Sequence, residues 1–228
     1  MSAITSPRNP RVVEAAKLHE AKHRRRQGRT LVEGPGALEV AMESGADVIE
    51  VFSLGEAPGA TQVDRSVLAR LSGTETPRGP IAIVAIPTDD DPRPADSVVL
   101  WEISDPGNVG ALIRTAAFLG FDVVAHGGAD IWSPKAIRSA AGAQFAVHVS
   151  RVDSIEDLPA ESTVAAVVDG GSAPGPVPRP VAILLGNEAA GLPEAVATAA
   201  THRVTIPGQF ESLNVAVAGS LLMDRLLR

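Results

Sequence analysis

The chain has 228 residues, 45% of them apolar, a formal net charge of −7 and no cysteine. That length allows one large or two small domains with a sizeable core. Lack of cysteine excludes disulfides, thiolate zinc sites and iron–sulfur clusters, and no apolar run approaches the roughly 20 residues needed to span a bilayer. The histidines, at 19, 23, 126, 148 and 202, show no metal-ligand spacing. Met1–Pro7 lacks the basic and apolar regions of a signal peptide. A cytoplasmic protein with no membrane segment and no metal is expected. Tyrosine is absent and aromatics are 3%, which argues against RNA binding by stacking on an aromatic sheet.

The first 30 residues hold Arg8, Arg11, Lys17, Lys22, Arg24, Arg25, Arg26 and Arg29 against Glu14 and Glu20. This is a local excess of six positive charges, which leaves −13 on the remainder. A basic arm on an acidic body attracts phosphate locally. Arg8, Lys22, Arg24, Arg25, Arg26 and Arg29 are the candidate contacts; the alternative is a solvated helix face. Val12–Arg26 has helical character, and Leu31–Gly34 reads as a short strand running into a turn. Pro35–Ser44 reads as a helix closed by Gly45. Val48–Phe52 and Ile81–Ile86 read as strands. The order α-β-α-β-(α)-β makes a small α/β unit. Pro87–Ser97 is charged and proline-rich and is the best boundary. The expected domains are 1–88 and 98–228, with a linker at 89–97.

Beyond the boundary, strands at about 98–103, 122–125, 146–149, 164–168, 181–185 and 203–206 alternate with helical segments. That alternation predicts a largely parallel sheet with helices on both faces. Asn108–Gly120 reads as a helix with Asn108 near its N-cap and Val109, Leu112, Ile113 and Ala116 as its buried stripe. Arg114 then points roughly 150° from the stripe, towards solvent, a ligand or another subunit. Taken alone it is a surface arginine. The Pro- and Gly-rich loop Asp169–Pro180 follows an apolar strand, so its start lies at the same sheet edge as the other strand exits. Gly186-Asn-Glu-Ala-Ala-Gly-Leu192 follows the apolar run Val181–Leu185, and alone is a strand-to-helix turn. After Ile206-Pro207 comes Ser212-Leu-Asn-Val215, with Ser212 suited to an N-cap. The helix that follows is apolar almost all round, so it is a core helix, an interface helix or one buried under a chain crossing.

Three segments in order carry a family resemblance: Asp105-Pro-Gly-Asn-Val-Gly-Ala-Leu-Ile-Arg-Thr-Ala116, Gly186–Leu192 and Ile206–Val215. Together they resemble the signature motifs of the SpoU (TrmH-like) branch of the SPOUT RNA methyltransferases. The resemblance is close over roughly 97–228 and looser before that. It implies an α/β fold: a C-terminal parallel-sheet domain with a deep trefoil knot, preceded by a small α/β RNA-binding domain with the fold of a ribosomal protein. It implies S-adenosylmethionine as cofactor and 2′-O-ribose methylation of RNA, ribosomal RNA being favoured over transfer RNA. Asn108, Arg114, Glu188, Ser212 and Asn214 become the catalytic set. Asp169, Gly170, Leu185, Gly186, Asn187, Gly191, Ile206, Pro207, Leu213 and Asn214 become the cofactor set. Lys135 and Arg138, in a stretch that resembles the family's segment between motifs one and two, become RNA contacts beside the basic arm. Arg114 is either a phosphate clamp or the family's proposed base. Family enzymes are homodimers through this domain. One departure is the link 208–211, shorter than usual by about two residues. A nucleotide-binding dehydrogenase fails for want of Gly-x-Gly-x-x-Gly after a strand. A non-catalytic RNA-binding or ribosome-assembly factor of the same fold is the other alternative.

Overall fold

In the computed structural model, which describes residues 3–88 and 91–227, the basic arm is not one helix. The Asn9 side chain caps α1 (Pro10–Ala16), a 3-10 turn takes Lys17–His19, and α2 (Ala21–Gln27) follows. Then come β1 (Arg29–Glu33), α3 (Pro35–Glu43), β2 (Val48–Ser53), the two-residue β3 (Thr61–Gln62), α4 (Arg65–Leu71) and β4 (Ile81–Ala85). The sheet order is β1-β4-β2-β3, with β4 antiparallel to both β1 and β2. Val12, Leu18, Leu31, Phe52, Leu68 and Ile81 are buried together. The expected strands and helices are present; the short β3 has too few residues to show a period.

The second half forms a parallel six-stranded sheet. Its elements are β5 (Ser97–Trp101), α5 (Pro106–Leu119), β6 (Asp122–His126), α6 (Pro134–Ala140), β7 (Val149–Arg151), β8 (Ser162–Ala166), β9 (Val181–Leu185), α7 (Glu194–Ala199), β10 (His202–Val204) and α8 (Val215–Leu227). The order is β10-β8-β9-β5-β6-β7. Every residue of the central strands β5 and β9 is buried, as expected for strands covered on both faces. The expected strand 146–149 begins three residues later, at Val149. Residues 89 and 90 of the expected linker lie outside the described residues, as do the first two residues and the last. Among the described residues no helix is long and apolar enough to cross a membrane.

By contacts the chain divides into two units: residues up to 88 together with Asp130–Ala146, and 89–129 together with 147–228. In this grouping 130–146, α6 included, packs on the N-terminal elements. The cause is a set of polar ties that sequence distance hides. Thr30 Oγ1, fully buried, donates to the Trp132 carbonyl at 2.7 Å. Arg138 pairs with Glu33 at 3.4 Å. Arg24 is 3% exposed, donates through Nε and Nη2 to Asp130 Oδ2 (2.9 and 2.6 Å), and through Nη1 to the carbonyls of Leu18 and His19. Arg24 is therefore not an RNA contact: its fork is spent inside the protein. Removing one member of a buried pair leaves an uncompensated charge. Arg24→Ala is therefore expected to cost about 3–5 kcal/mol in a urea melt, whereas Arg25→Ala, on an exposed residue, should stay within about 0.5 kcal/mol.

Candidate active site

The parallel strands all exit at one edge, and chain direction diverges between β5 and β9: β6 and β7 continue on one side, β8 and β10 on the other. Open α/β sheets bind ligands at such a switch point. Here the exits of β5 and β9 are fastened by one carboxylate. Glu188 Oε2 accepts from Ser104 N (3.0 Å) and Ser104 Oγ (2.7 Å). Its Oε1 accepts from Asp105 N and Asn108 Nδ2, both at 3.0 Å. Asn108 Oδ1 in turn accepts from Asn214 Nδ2 at 3.0 Å, and Asn214 Oδ1 accepts from the backbone N–H groups of Ala216 (2.9 Å) and Val217 (3.3 Å). Each amide orientation is forced: an ionised carboxylate can only accept, so Asn108 must donate to it, and the carbonyl left over needs the next amide's NH₂.

Two helix starts differ from expectation. Asp105, not Asn108, caps α5, accepting from Gly107 N (2.7 Å) and Asn108 N (3.1 Å). The cap frees the Asn108 side chain for Glu188. Asn214, not Ser212, accepts from the first N–H groups of α8, and Ser212 is exposed on an irregular segment outside the relay.

What desolvation Glu188 suffers pushes its carboxyl up, but the donors from Asn108, Ser104 and Asp105 outweigh it and hold it at about 2. The group is a fixed negative charge at any physiological pH. With two donors on each oxygen, it has little capacity left to accept a proton.

Three loops border this site. After β9, Asn187 and Gly191 exchange backbone hydrogen bonds at 3.1 and 2.8 Å. The Asn187 side chain accepts from Ala189 N and Ala190 N and donates to the Glu102 carbonyl at 2.9 Å, so it shapes the loop. Gly186 is buried, and a Cβ there would lie 2.3 Å from Gly191 C and Leu192 N; any larger residue would force the loop open. After β8, Gly171 N donates to Thr205 Oγ1 (3.0 Å), which ties this loop to the exit of β10. Gly170 and Gly191, both at positive φ, have nothing within 4 Å of where a Cβ would stand. Val168 and Leu213 are 61% and 49% exposed, Ile206 is half-buried, and Asp169 and Pro207 are exposed. Open backbone, apolar side chains and two carboxylates suit a cationic ligand carrying a purine, and S-adenosylmethionine fits that description.

The SpoU rRNA Methylase family matches residues 96–224, more than half of the chain, and the MRM3-like substrate binding domain matches 9–82. The chain belongs to the SpoU family. A Bacillus subtilis (strain 168) relative, the 23S rRNA (guanosine(2553)-2′-O)-methyltransferase RlmP, is 30% identical over 99% of both chains. A solved RNA 2′-O ribose methyltransferase superposes with a TM-score of 0.84 at 32% identity, covering 99% of this chain and 98% of the other. The SpoU methyltransferase AviRb from Streptomyces viridochromogenes, solved in complex with AdoMet, gives 0.83 at 28% identity, covering 96% and 97%.

In this SpoU chain Asn108, Glu188 and Asn214 converge; Arg114 does not join them. It is exposed on α5, six residues beyond Asn108, hence about 9 Å along the axis and roughly 120° around it. It makes no hydrogen bond or ion pair with any described residue. Among the expected RNA contacts, Arg8, Lys22, Arg25, Arg26, Arg29 and Lys135 are exposed. Arg138 is half-buried and engaged by Glu33. Sequence reasoning missed Ser104 and Asp105. The signal for Asp105 was the Asp-Pro start of α5, a strong N-cap pattern; nothing local marks Ser104. The depressed Glu188 carboxyl contributes stability that is complete above its usual value of 4.5 and is lost as pH falls towards about 2. Asn108→Ala removes one donor, so the Glu188 carboxyl should titrate at higher pH in a carbon-detected NMR titration. The acid limb of the urea midpoint should move up with it; an unmoved Glu188 resonance would show that the relay does not hold the charge.

Proposed function

We propose that the protein is an S-adenosylmethionine-dependent 2′-O-ribose methyltransferase acting on ribosomal RNA. The observation that carries the reading is the Glu188–Asn108–Asn214 relay beside the open loops 169–171, 186–191 and 206–214. The cofactor, when bound, supplies a methyl group already activated on a sulfonium. The protein then has to position a ribose hydroxyl in line and give its proton a route. Glu188, saturated with donors, positions Asn108, and its fixed negative charge would favour a cationic cofactor held by these loops. The Asn108 and Asn214 amides fix the start of α5 and α8. Arg114 stays protonated, so its role is to bind a substrate phosphate and orient the hydroxyl by a planar fork, and the hydroxyl proton leaves to that phosphate or to solvent. Ser212, exposed on the loop before α8, is free to meet the ribose.

The working enzyme is a homodimer in this reading. Phe118, one turn beyond Arg114 on α5, is 88% exposed, and Val217 and Leu221 on α8 are 48% and 36% exposed. The two helices pack together, with Thr115 Oγ1 and Ser220 Oγ at 3.0 Å. An apolar face flanking Arg114 supports burial against a second copy, which brings Arg114 to a site its own chain does not complete. The deep trefoil knot belongs to the same reading, with α8 as the threaded segment; its Gly219 lies where a Cβ would meet Leu185 and Leu112 at 2.4 and 2.5 Å. The N-terminal residues 1–88 act as the RNA-binding domain, 89–97 as the linker and 98–228 as the catalytic domain. In this reading the protein works in the cytoplasm, a placement supported by its bacterial relatives, and the 23S rRNA activity of the Bacillus relative supports ribosomal over transfer RNA.

Calorimetry with S-adenosylmethionine tests the reading: saturable binding is expected, and no binding at millimolar ligand overturns the enzyme in favour of a non-catalytic RNA-binding factor. Arg114→Ala should abolish methyl transfer, leave cofactor affinity within a few fold and hardly alter the melting temperature; full activity would remove Arg114 from the mechanism. Phosphate contacts release condensed counterions, so RNA binding should weaken steeply with salt. With Arg24 buried, the arm is tested by neutralising Arg25 and Arg26 together, which should flatten the log–log salt slope by roughly 1.4–1.8 units. A solvated helix face would leave the slope unchanged.

A further inference from the structure

A cleft of about 320 Å³ opens in the N-terminal unit between α1 and the strands β2 and β4. Its floor is apolar: Ala15, Leu18 and Ile83 are buried, with Ile49 at the rim. The size lies at the lower end of small-molecule sites, which run roughly 300–1,000 Å³, and suits one flat heterocycle. Its polar lining is organised. Glu50 Oε1 is paired with Arg11 and also accepts from Thr61 Oγ1 at 3.2 Å. Among the described residues no donor reaches the second Glu50 oxygen, which leaves an acceptor on a residue that lines the cleft. Gln27 and Arg29 line the opposite rim, and neither side chain has a described partner. Glu14, the other acid of the lining, is engaged by Lys17. The unpaired charge of the cleft is thus positive, and Arg8, Arg25 and Arg26 stand exposed on the same short stretch of chain.

We propose that this cleft holds a single guanine base of the RNA substrate. Guanine is the base that offers an edge with two acceptors, O6 and N7, for a guanidinium such as Arg29. Its N1–H and N2–H₂ donors offer a second edge to a carboxylate such as Glu50. The apolar floor takes the ring, and the surrounding arginines take the flanking phosphates. The cleft adds a base-reading step to an arm that otherwise grips only backbone. This deepens the RNA-methyltransferase reading and rests on it for the class of ligand.

The test uses the full chain and four labelled RNA pentamers, all adenosine except for a central G, A, C or U, in fluorescence anisotropy at low salt. The guanine pentamer should bind about tenfold more tightly than the others, the discrimination expected of a good bidentate base contact. Glu50→Gln should remove that preference. Ile49→Trp, which fills the cleft from its exposed rim without touching the Arg11–Glu50 pair, should do the same, so the test survives if the first variant folds poorly. Equal affinity of the four pentamers for the natural protein overturns the proposal, as does a guanine preference that persists in Ile49→Trp. S-adenosylmethionine calorimetry on the same samples keeps the two readings apart: intact cofactor binding with no base preference sinks the cleft alone.

Discussion

Glu188 accepts hydrogen bonds from Ser104, Asp105 and Asn108, and through Asn108 it reaches Asn214. Three segments separated by about 80 and about 25 residues of chain are thereby held as one surface. A carboxylate suits the task because it is acceptor-only and takes charge-assisted bonds on two oxygens. The same bonds that build the surface keep the group ionised, so structure and electrostatics are set by a single side chain. Its position needs a tight turn after β9, and Gly186 gives one by packing directly against the returning chain at Gly191 and Leu192.

The surroundings carry local backbone cost. Glu102, at the exit of β5, has φ 54, a left-handed conformation that costs a non-glycine residue roughly 1–2 kcal/mol. Its N–H donates to the His126 carbonyl and its own carbonyl accepts from Asn187. The strained turn aims Ser104 and Asp105 at Glu188 from one side while its carbonyl anchors the second loop from the other. Strain of this kind persists where neighbours over-determine it, and such positions gather at functional sites.

The N-terminal unit divides its cations by burial. Arg24 supports the packing of 130–132 against the helices, and Arg138 answers Glu33, whose carboxylate also accepts from Ser72 Oγ and Thr74 Oγ1. Arg8, Arg25, Arg26 and Arg29 stay exposed. Successive residues of a helix turn by 100°, and on α2 it is Arg24 that turns inward while Arg25 and Arg26 face out. Arg24 meets the core there because an acid distant in sequence, Asp130, receives its guanidinium.

Much of the fold was legible in the chain. The apolar runs at about 98–103 and 181–185 announced parallel strands, the first of which stops at Trp101, the stripe Val109, Leu112, Ile113 and Ala116 is buried as its spacing required, and Arg114 faces outward as the same spacing required. Asn108, Glu188 and Asn214 were singled out as a set through the three ordered motifs. Hydrophobic period and family pattern act along the chain, so the sequence by itself determined the elements, their faces and the identity of the polar residues at the strand exits. Only the tertiary structure decided that Asp105 and Asn214 take the caps, that Ser104 joins the carboxylate, that Arg24 is spent on Asp130, and that 130–146 packs with the N-terminal elements. Each of those outcomes depends on which donor meets which acceptor across a long loop. A side chain with several partners of equal chemical merit is assigned by geometry, and geometry exists only once the chain has folded.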